Sequence, residues 1–280
     1  MVEALSLAAH RTRMDLDRLF QAFSSSVSRP PGSAQEAGTL FREVMASLVE
    51  FDHIVVFAYR GKERPLDLYC TFDRDDYVVF VSLYQAGPFL LDPFYHAALD
   101  RKHGVFRMRQ LAPDRFFASE YYRNYYVKTG LAEEVGFFLA PEKDVSIVLS
   151  LMRRQERGPF PASEFAMLQR ALGLVSAIVT RSWSGLSAHF EAARAHRLPR
   201  HARRTGDHET IWSKLKLTNR EAAIVEMVLQ GHSSESIGLK LAISTGTVKV
   251  HRRNVYRKLG ITSQTQLLSI YLNNISYPPS

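Results

Sequence analysis

Residues 243–260, ISTGTVKVHRRNVYRKLG, consist of a short turn and a basic segment whose periodicity predicts a helix. At roughly 100° per residue, Val248, Val255 and Leu259 fall on one face of that helix, where they can be buried. Val250 falls on the opposite face, among lysine and arginine side chains that should be solvated. An apolar residue at this position indicates that this face of the helix is a binding surface.

The residues before this basic helix predict two shorter helices. LTNREAAIVEMVLQG (217–231) has Thr218 three residues before Glu221, which is the arrangement of a capping box, and ends at Gly231, which suits a left-handed C-terminal cap. SSESIGLKLA (233–242) predicts the second helix. A short helix, a tight turn and a basic helix are typical of a helix-turn-helix, whose second helix enters the DNA major groove.

The charge distribution favours a polyanionic partner for the same region. The 280-residue chain has a formal net charge of +8, and residues 199–280 carry 12 lysines and arginines against five acidic residues. Seven of the eight excess charges therefore lie in the last third of the chain. A basic unit behind a nearly neutral one is typical of a nucleic-acid binder joined to another domain. An ordinary solvated basic face is the alternative interpretation.

These segments, together with SQTQL at 263–267, resemble the LuxR-type DNA-binding domain, also called the FixJ or NarL type, over about residues 214–272. The resemblance implies an all-α domain of four helices that binds double-stranded DNA. It implies the following contacts: Lys249, Val250 and Arg253 toward the bases and nearby phosphates, and Thr247 and Arg257 on the backbone. A valine can offer methyl groups to the thymine methyl group, and a stray exposed apolar residue is the alternative. Gly238 replaces the usual alanine of the family and should weaken its helix slightly.

The larger N-terminal region predicts an α+β sandwich, an antiparallel sheet flanked by helices. Its strands are rich in β-branched and aromatic residues. They are expected as a hairpin at 53–60 and 65–72, a short strand at 104–108, and a second hairpin at 132–141 and 144–154. Helices are expected at 7–28 and 34–50, and one long helix from Ala162 to about Ala195.

Loss of periodicity divides the chain into a ligand-sensing and dimerisation domain at 1–190, a linker at 191–212 and the helix-turn-helix domain at 213–280. Pro199 and Gly206 interrupt the polar linker. A leftover apolar stripe on the long helix would suit a second copy of the chain, because a helix-turn-helix that reads two half-sites binds as a dimer. We therefore expect a homodimer, with RNA polymerase as a further candidate partner.

Residues 35–185 resemble the autoinducer-binding domain of quorum-sensing LuxR-type regulators, most clearly around Asp92-Pro93. In that family the aspartate accepts a hydrogen bond from the ligand amide, and a tyrosine and a tryptophan hold the two ligand carbonyls. Tyr84 matches the tyrosine, whereas Phe80 replaces the tryptophan. Because phenylalanine lacks an N–H group, a buried lactone carbonyl would stay unpaired at a cost of about 1–3 kcal/mol. The predicted effector is therefore a small molecule other than a standard acyl-homoserine lactone.

The proposed pocket residues have alternative interpretations. Tyr59 and Tyr69 add to an aromatic surplus that would suit a compact amphipathic or aromatic molecule, but aromatic residues at such spacings also build cores. Asp92 could pair with an amide N–H or an amine, or it could cap the helix that starts at Pro93. The two roles of Asp92 are compatible.

Other functional classes have less support in the sequence. A ligand-independent regulator with an N-terminal dimerisation or protein-partner module is the main alternative. We find no nucleophile elbow, metal-ligand pair or phosphate loop, so no enzyme and no cofactor are predicted. Cys70 is the only cysteine, which excludes an internal disulfide and fits a reducing cytoplasm. The sequence shows no export signal and no apolar run long enough for a membrane partner.

Overall fold

A five-stranded antiparallel sheet organises the N-terminal part of the computed structural model, which describes residues 16–28, 32–124, 126–197 and 211–274. The strands are β1 (His53–Tyr59), β2 (Leu66–Cys70), β3 (Gly104–Arg107), β4 (Leu131–Leu139) and β5 (Ser146–Arg154). Their order across the sheet is β2-β1-β5-β4-β3. Both predicted hairpins and the short strand are present, which confirms the α+β fold class.

The alternation of side chains along β1 produces two separate cores, one on each face of the sheet. Val55, Phe57 and Tyr59 point into one cluster, whereas Ile54 and Val56 point into the other. Successive residues of a strand face opposite sides, so an apolar strand in the middle of a sheet supports both layers at once.

Long helices cover the face of the sheet that carries Ile54 and Val56. They are α1 (Leu16–Ser28), α2 (Ala34–Leu48), α8 (Ala162–Arg170), α9 (Leu172–Ser182) and α10 (Leu186–Arg197). The expected helix at 34–50 is confirmed, and residues 7–15 of the expected first helix lie outside the described residues. Trp183 stacks on Phe41 of α2, with ring centroids 5.1 Å apart.

The prediction of one long helix from Ala162 to about Ala195 is wrong. The chain bends by 48° between α8 and α9, and it leaves the helical conformation at Trp183 before Gly185 takes a φ of 76°. The breaks keep Leu168 and Val175 in the same buried core while Trp183 turns inward. Among the described residues, no single helix is long and apolar enough to cross a membrane, and only α8 and α9 together meet that length and composition.

Short helical segments cover the other face of the sheet. The α-helical ones are α3 (Arg74–Tyr77), α4 (Leu83–Gln85), α5 (Pro93–Leu99), α6 (Met108–Leu111) and α7 (Glu120–Asn124). A π-helical turn at Val78–Ser82 and 3-10 turns at Pro88–Leu91, Phe116–Ala118 and Tyr126–Thr129 connect them. This discontinuous layer encloses the cavity described below.

In residues 211–274 of the C-terminal part, every regular element is a helix, as predicted. Its helices are α11 (Ile211–Lys214), α12 (Asn219–Gln230), α13 (Ser234–Leu241), α14 (Thr245–Leu259) and α15 (Gln264–Asn274). Thr218 and Glu221 form the expected capping box, and Gly231 ends α12 with a φ of 95°. Helix α10 continues to Arg197, past residue 190, and residues 198–210 of the predicted linker lie outside the described residues.

A pair of glycine substitutions tests the packing of α2 on the sheet. A Cβ added at Gly38 would lie 1.9 Å from Cγ and 2.5 Å from Cβ of Tyr69, whereas one added at Gly173 of α9 would meet nothing within 4 Å. We expect Gly38→Ala to lower the free energy of unfolding by about 1–3 kcal/mol. Gly173→Ala, the matched control, should raise it by up to about 1 kcal/mol. Chemical denaturation measures both, and equal effects would contradict this packing.

Candidate ligand cavity and nucleic-acid interface

Helix α14 presents one face to the core and a basic face to solvent. Val248 and Val255 are fully buried, and together with Leu267 they belong to a core cluster that continues from the C-terminal helices to one face of the N-terminal sheet. The Ser244 hydroxyl caps the helix by accepting a hydrogen bond from the Thr247 N–H over 3.0 Å. These contacts determine which face of α14 is exposed to solvent.

The residues expected at DNA share that outer face. They are all exposed: Thr247, Lys249, Val250, Arg253 and Arg257. Val250 keeps 46% of its surface exposed, although it is apolar. The structure therefore brings these five positions together on one accessible helix surface, with three cationic side chains around the valine.

Polar contacts hold α14 against its neighbours. Lys258 Nζ donates to Glu221 Oε2 over 2.7 Å, and Glu221 is 5% exposed. Burial alone would raise the pKa of Glu221, but hydrogen bonds from Lys258 and Thr218 lower this pKa below its ordinary value. Gly238 allows the turn to approach closely, because a Cβ there would lie 2.7 Å from the Ile243 carbonyl oxygen. The departure from alanine thus has a steric reason in this chain.

A small cavity lies between the sheet and the layer of short helices. Its walls combine aromatic, aliphatic and acidic side chains. The described lining residues are Val55, Phe57, Tyr59, Phe80, Tyr84, Asp92, Phe94, Tyr121, Tyr126, Thr129, Leu131, Glu134, Ser150 and Met152. The space of about 40 Å³ between these walls is large enough for one or two water molecules. A larger ligand would have to displace some of the wall.

Hydrogen bonds join three of the predicted ligand residues in a row. The Tyr59 and Tyr84 hydroxyls are 2.8 Å apart, and the Tyr84 hydroxyl donates to Asp92 Oδ2 over 2.6 Å. Asp92 Oδ1 accepts from the Phe94 N–H over 2.9 Å, so the predicted capping role of Asp92 is confirmed. Burial raises the pKa of Asp92 to about 6, against the lowering effect of its hydrogen bonds.

Glu134 is a second carboxyl group in this cavity, and sequence reasoning missed it. It is 7% exposed and accepts a hydrogen bond from the Tyr126 hydroxyl over 3.0 Å. Burial and then the nearby charge of Asp92 raise the pKa of Glu134 to about 8. The adjacent Glu133 instead pairs with Arg107. A register shift between Leu131 and Glu133 decides which acid faces the cavity.

Phe80 and Tyr69 lie on opposite faces of the sheet. Phe80 lines the cavity and stacks on Phe72, with ring centroids 4.4 Å apart. Tyr69 lies in the core on the opposite face of the sheet, where it packs against Gly38 of α2. It pairs across the strands with Val56, whose side chain faces the same helices. The prediction that Tyr69 lines the ligand pocket is therefore wrong.

One segment, residues 113–124 and 126–129, contacts the C-terminal helices and also supplies Tyr121 and Tyr126 to the cavity. Asp114 Oδ1 accepts from the Ser233 N–H over 3.0 Å, and the Arg115 N–H donates to the Gly231 carbonyl over 2.9 Å. A Cβ on Gly231 would lie 2.6 Å from Cα of Phe116. The sequence gives no local signal of this docking contact.

Comparison with known proteins identifies sequences related to this chain. Residues 215–271 match the family described as bacterial regulatory proteins, luxR family. An HTH-type transcriptional regulator from the exeN 3′ region of Aeromonas salmonicida is 30% identical over 192 residues, which are 67% of this chain and 96% of that protein.

Two solved structures are similar to this chain, one over part of its length and the other over most of it. The LBD domain of VqsR from Pseudomonas aeruginosa is 19% identical with a TM-score of 0.48, covering 62% of this chain and 96% of that one. SdiA from Escherichia coli is 21% identical with a TM-score of 0.39, covering 92% of this chain and 99% of that one.

The raised pKa of Glu134 predicts a pH-dependent stability. The folded state holds the proton of Glu134 more tightly than the unfolded state, in which the carboxyl group has its ordinary pKa of 4.5. The resulting stabilisation is complete below pH 4.5 and is lost as the pH rises through about 8. Between these values we expect the free energy of unfolding of the wild type to fall relative to that of Glu134→Gln, by about 1 kcal/mol per pH unit. Urea denaturation at several pH values measures this difference, and parallel curves would contradict it.

Proposed function

This chain belongs to the LuxR family of bacterial regulatory proteins, which are DNA-binding transcriptional regulators, and we propose that a small molecule bound in its N-terminal cavity controls when it binds DNA. The observation that carries the proposal is the cavity whose wall segment, residues 113–124 and 126–129, also contacts the helix-turn-helix. The same residues are thus positioned both to meet a ligand and to hold the DNA-binding helices.

The outer face of α14 is the proposed DNA surface. Lys249, Val250 and Arg253 would meet bases and nearby phosphates, and Thr247 and Arg257 would bind the backbone. The exposure of all five supports this assignment. Cationic side chains supply affinity by releasing counterions from the DNA. The uncharged valine side chain does not do so, but it can discriminate thymine by contact with the thymine methyl group.

The proposed organisation has a sensing and dimerisation domain at 1–190, a linker at 191–212 and a DNA-binding domain at 213–280. Two copies would place two α14 helices on successive half-sites of an operator, one helical turn apart or a multiple of it. A homodimer is therefore part of the proposal.

The cavity chemistry supports an effector other than a standard acyl-homoserine lactone. Phe80 offers no hydrogen-bond donor, and the Tyr84 hydroxyl already donates to Asp92. A lactone carbonyl placed against Phe80 would therefore stay unpaired. Because the cavity measures about 40 Å³, any effector must also move aromatic wall residues such as Tyr121 and Tyr126.

Movement of that wall gives the ligand a route to the DNA-binding helices. A ligand that displaces Tyr121 and Tyr126 shifts the segment whose Asp114 and Arg115 contact Ser233 and Gly231. It changes the population of the docked arrangement only if it binds the docked and undocked states with different affinities.

Substitutions on α14 test the DNA surface. We expect Arg253→Ala to weaken binding by about tenfold or more, because a phosphate or guanine contact is lost. Val250→Ala should mainly reduce the ratio of affinities for an operator selected from random DNA and for its scrambled sequence. Both are measured by fluorescence anisotropy at one salt concentration, with Arg42→Ala on the exposed side of α2 as the control. Unchanged discrimination would remove Val250 from base readout.

A screen of small molecules tests the sensing role. We expect fractions of metabolite extract to raise the melting temperature and to change DNA affinity, because a ligand that binds only the folded state stabilises it. Standard acyl-homoserine lactones should do neither. If no fraction stabilises the protein, the alternative of a ligand-independent regulator with a dimerisation or partner-protein module gains the support that the sensor loses.

A further inference from the structure

The charge balance of the cavity is unusual for a buried site. Asp92 and Glu134 are 9% and 7% exposed, and none of the described lining residues is a lysine, arginine or histidine. Buried carboxyl groups are ordinarily paired with cations, as Glu133 is with Arg107. Among the described residues of its lining, the cavity therefore has two carboxyl groups and no protein cation.

The hydrogen bonds distinguish the two carboxyl groups. Both oxygens of Asp92 are engaged by donors of the protein, the Tyr84 hydroxyl and the Phe94 N–H. Glu134 receives hydroxyl donors only, from Tyr126 and Ser150. Hydroxyl groups can rotate away or accept a hydrogen bond in turn, so Glu134 can exchange these partners for a donor from a ligand.

Aromatic rings form most of the remaining wall. Phe57, Tyr59, Phe80, Tyr84 and Tyr126 line the same space as Glu134. The face of an aromatic ring attracts a cation by about 0.5–2 kcal/mol, most strongly where water is excluded. Carboxylates inside an aromatic enclosure are the features by which proteins bind an ammonium group.

We propose that the effector carries a protonated amine, and that Glu134 binds this ammonium group as its counter-ion while Asp92 and the aromatic rings complete the site. This inference rests on the proposed small-molecule control and names the chemical class of the ligand. An ammonium group is close to a water molecule in size and fits the existing space of about 40 Å³. The apolar body of the ligand then occupies the volume opened by the aromatic rings.

Matched pairs of probes test the charge requirement. We use 2-phenylethylamine with 2-phenylethanol, and hexylamine with 1-hexanol, each at millimolar concentration with the full-length protein. The amines should raise the melting temperature progressively as RT ln(1 + [L]/Kd) increases, and the alcohols should not. An equal response to amines and alcohols, or no response to either amine, overturns the inference.

A variant of Glu134 locates the effect. Glu134→Gln should weaken amine binding by about 10–100-fold, the usual value of a hydrogen bond between charged groups, while its melting temperature at pH 5 stays near that of the wild type. Glu43→Gln, on an exposed position of α2 beyond the opposite face of the sheet, is the matched control and should bind amines normally. Unchanged amine binding by Glu134→Gln also overturns the inference.

The two proposals fail in distinguishable ways. If amines have no effect but an uncharged metabolite raises the melting temperature and alters DNA affinity, small-molecule control stands and the ammonium site does not. If no compound of either kind has an effect, both proposals fail together.

Discussion

The antiparallel pairing of β1 with β5 is the constraint on which the rest of the N-terminal structure depends. It runs without interruption from His53 opposite Met152 to Tyr59 opposite Ser146. Because neighbouring residues of each strand face opposite sides, this register sends one set of side chains to the long helices and the other to the cavity. A slip by one residue would exchange the two sets, and would remove Tyr59 and Ser150 from the cavity.

The cavity departs from what stability alone would favour. At the same depth, an apolar residue in place of Glu134 would avoid the cost of burying a carboxyl group. The chain shows that it can pair a buried acid, since Glu133 lies beside Arg107. Buried carboxyl groups whose pKa values are raised by burial, in the wall of a cavity, are the pattern expected where binding, rather than packing, determines the residues.

Sequence reasoning succeeded where the determinants are local. The cap at Thr218 depends on Glu221, three residues later, and the cap at Gly231 depends on the last turn of α12 directly before it. Asp92 caps the helix that begins at the next residue. It failed where distant contacts decide. Trp183 lies at the end of α9, where its ring stacks on Phe41, far away in sequence. Glu134 faces the cavity only because of a register shift in β4, and Tyr69 follows the register of its partner strand.

Gly231 connects the folding of the helix-turn-helix with its docking. Its positive φ ends α12, and its carbonyl accepts the Arg115 N–H while the missing Cβ leaves room for Phe116. Together with the bonds from Ser233 to Asp114 and from Thr265 to Glu120, the docking contact combines hydrogen bonds with the apolar packing of Phe116, which belongs to the same buried cluster as Ile224 and Leu267. Reversing a two-state equilibrium from 1:99 to 99:1 takes about 5.5 kcal/mol. To reverse the docking equilibrium to that extent, a ligand must bind the docked and undocked states with affinities that differ by about 10⁴-fold.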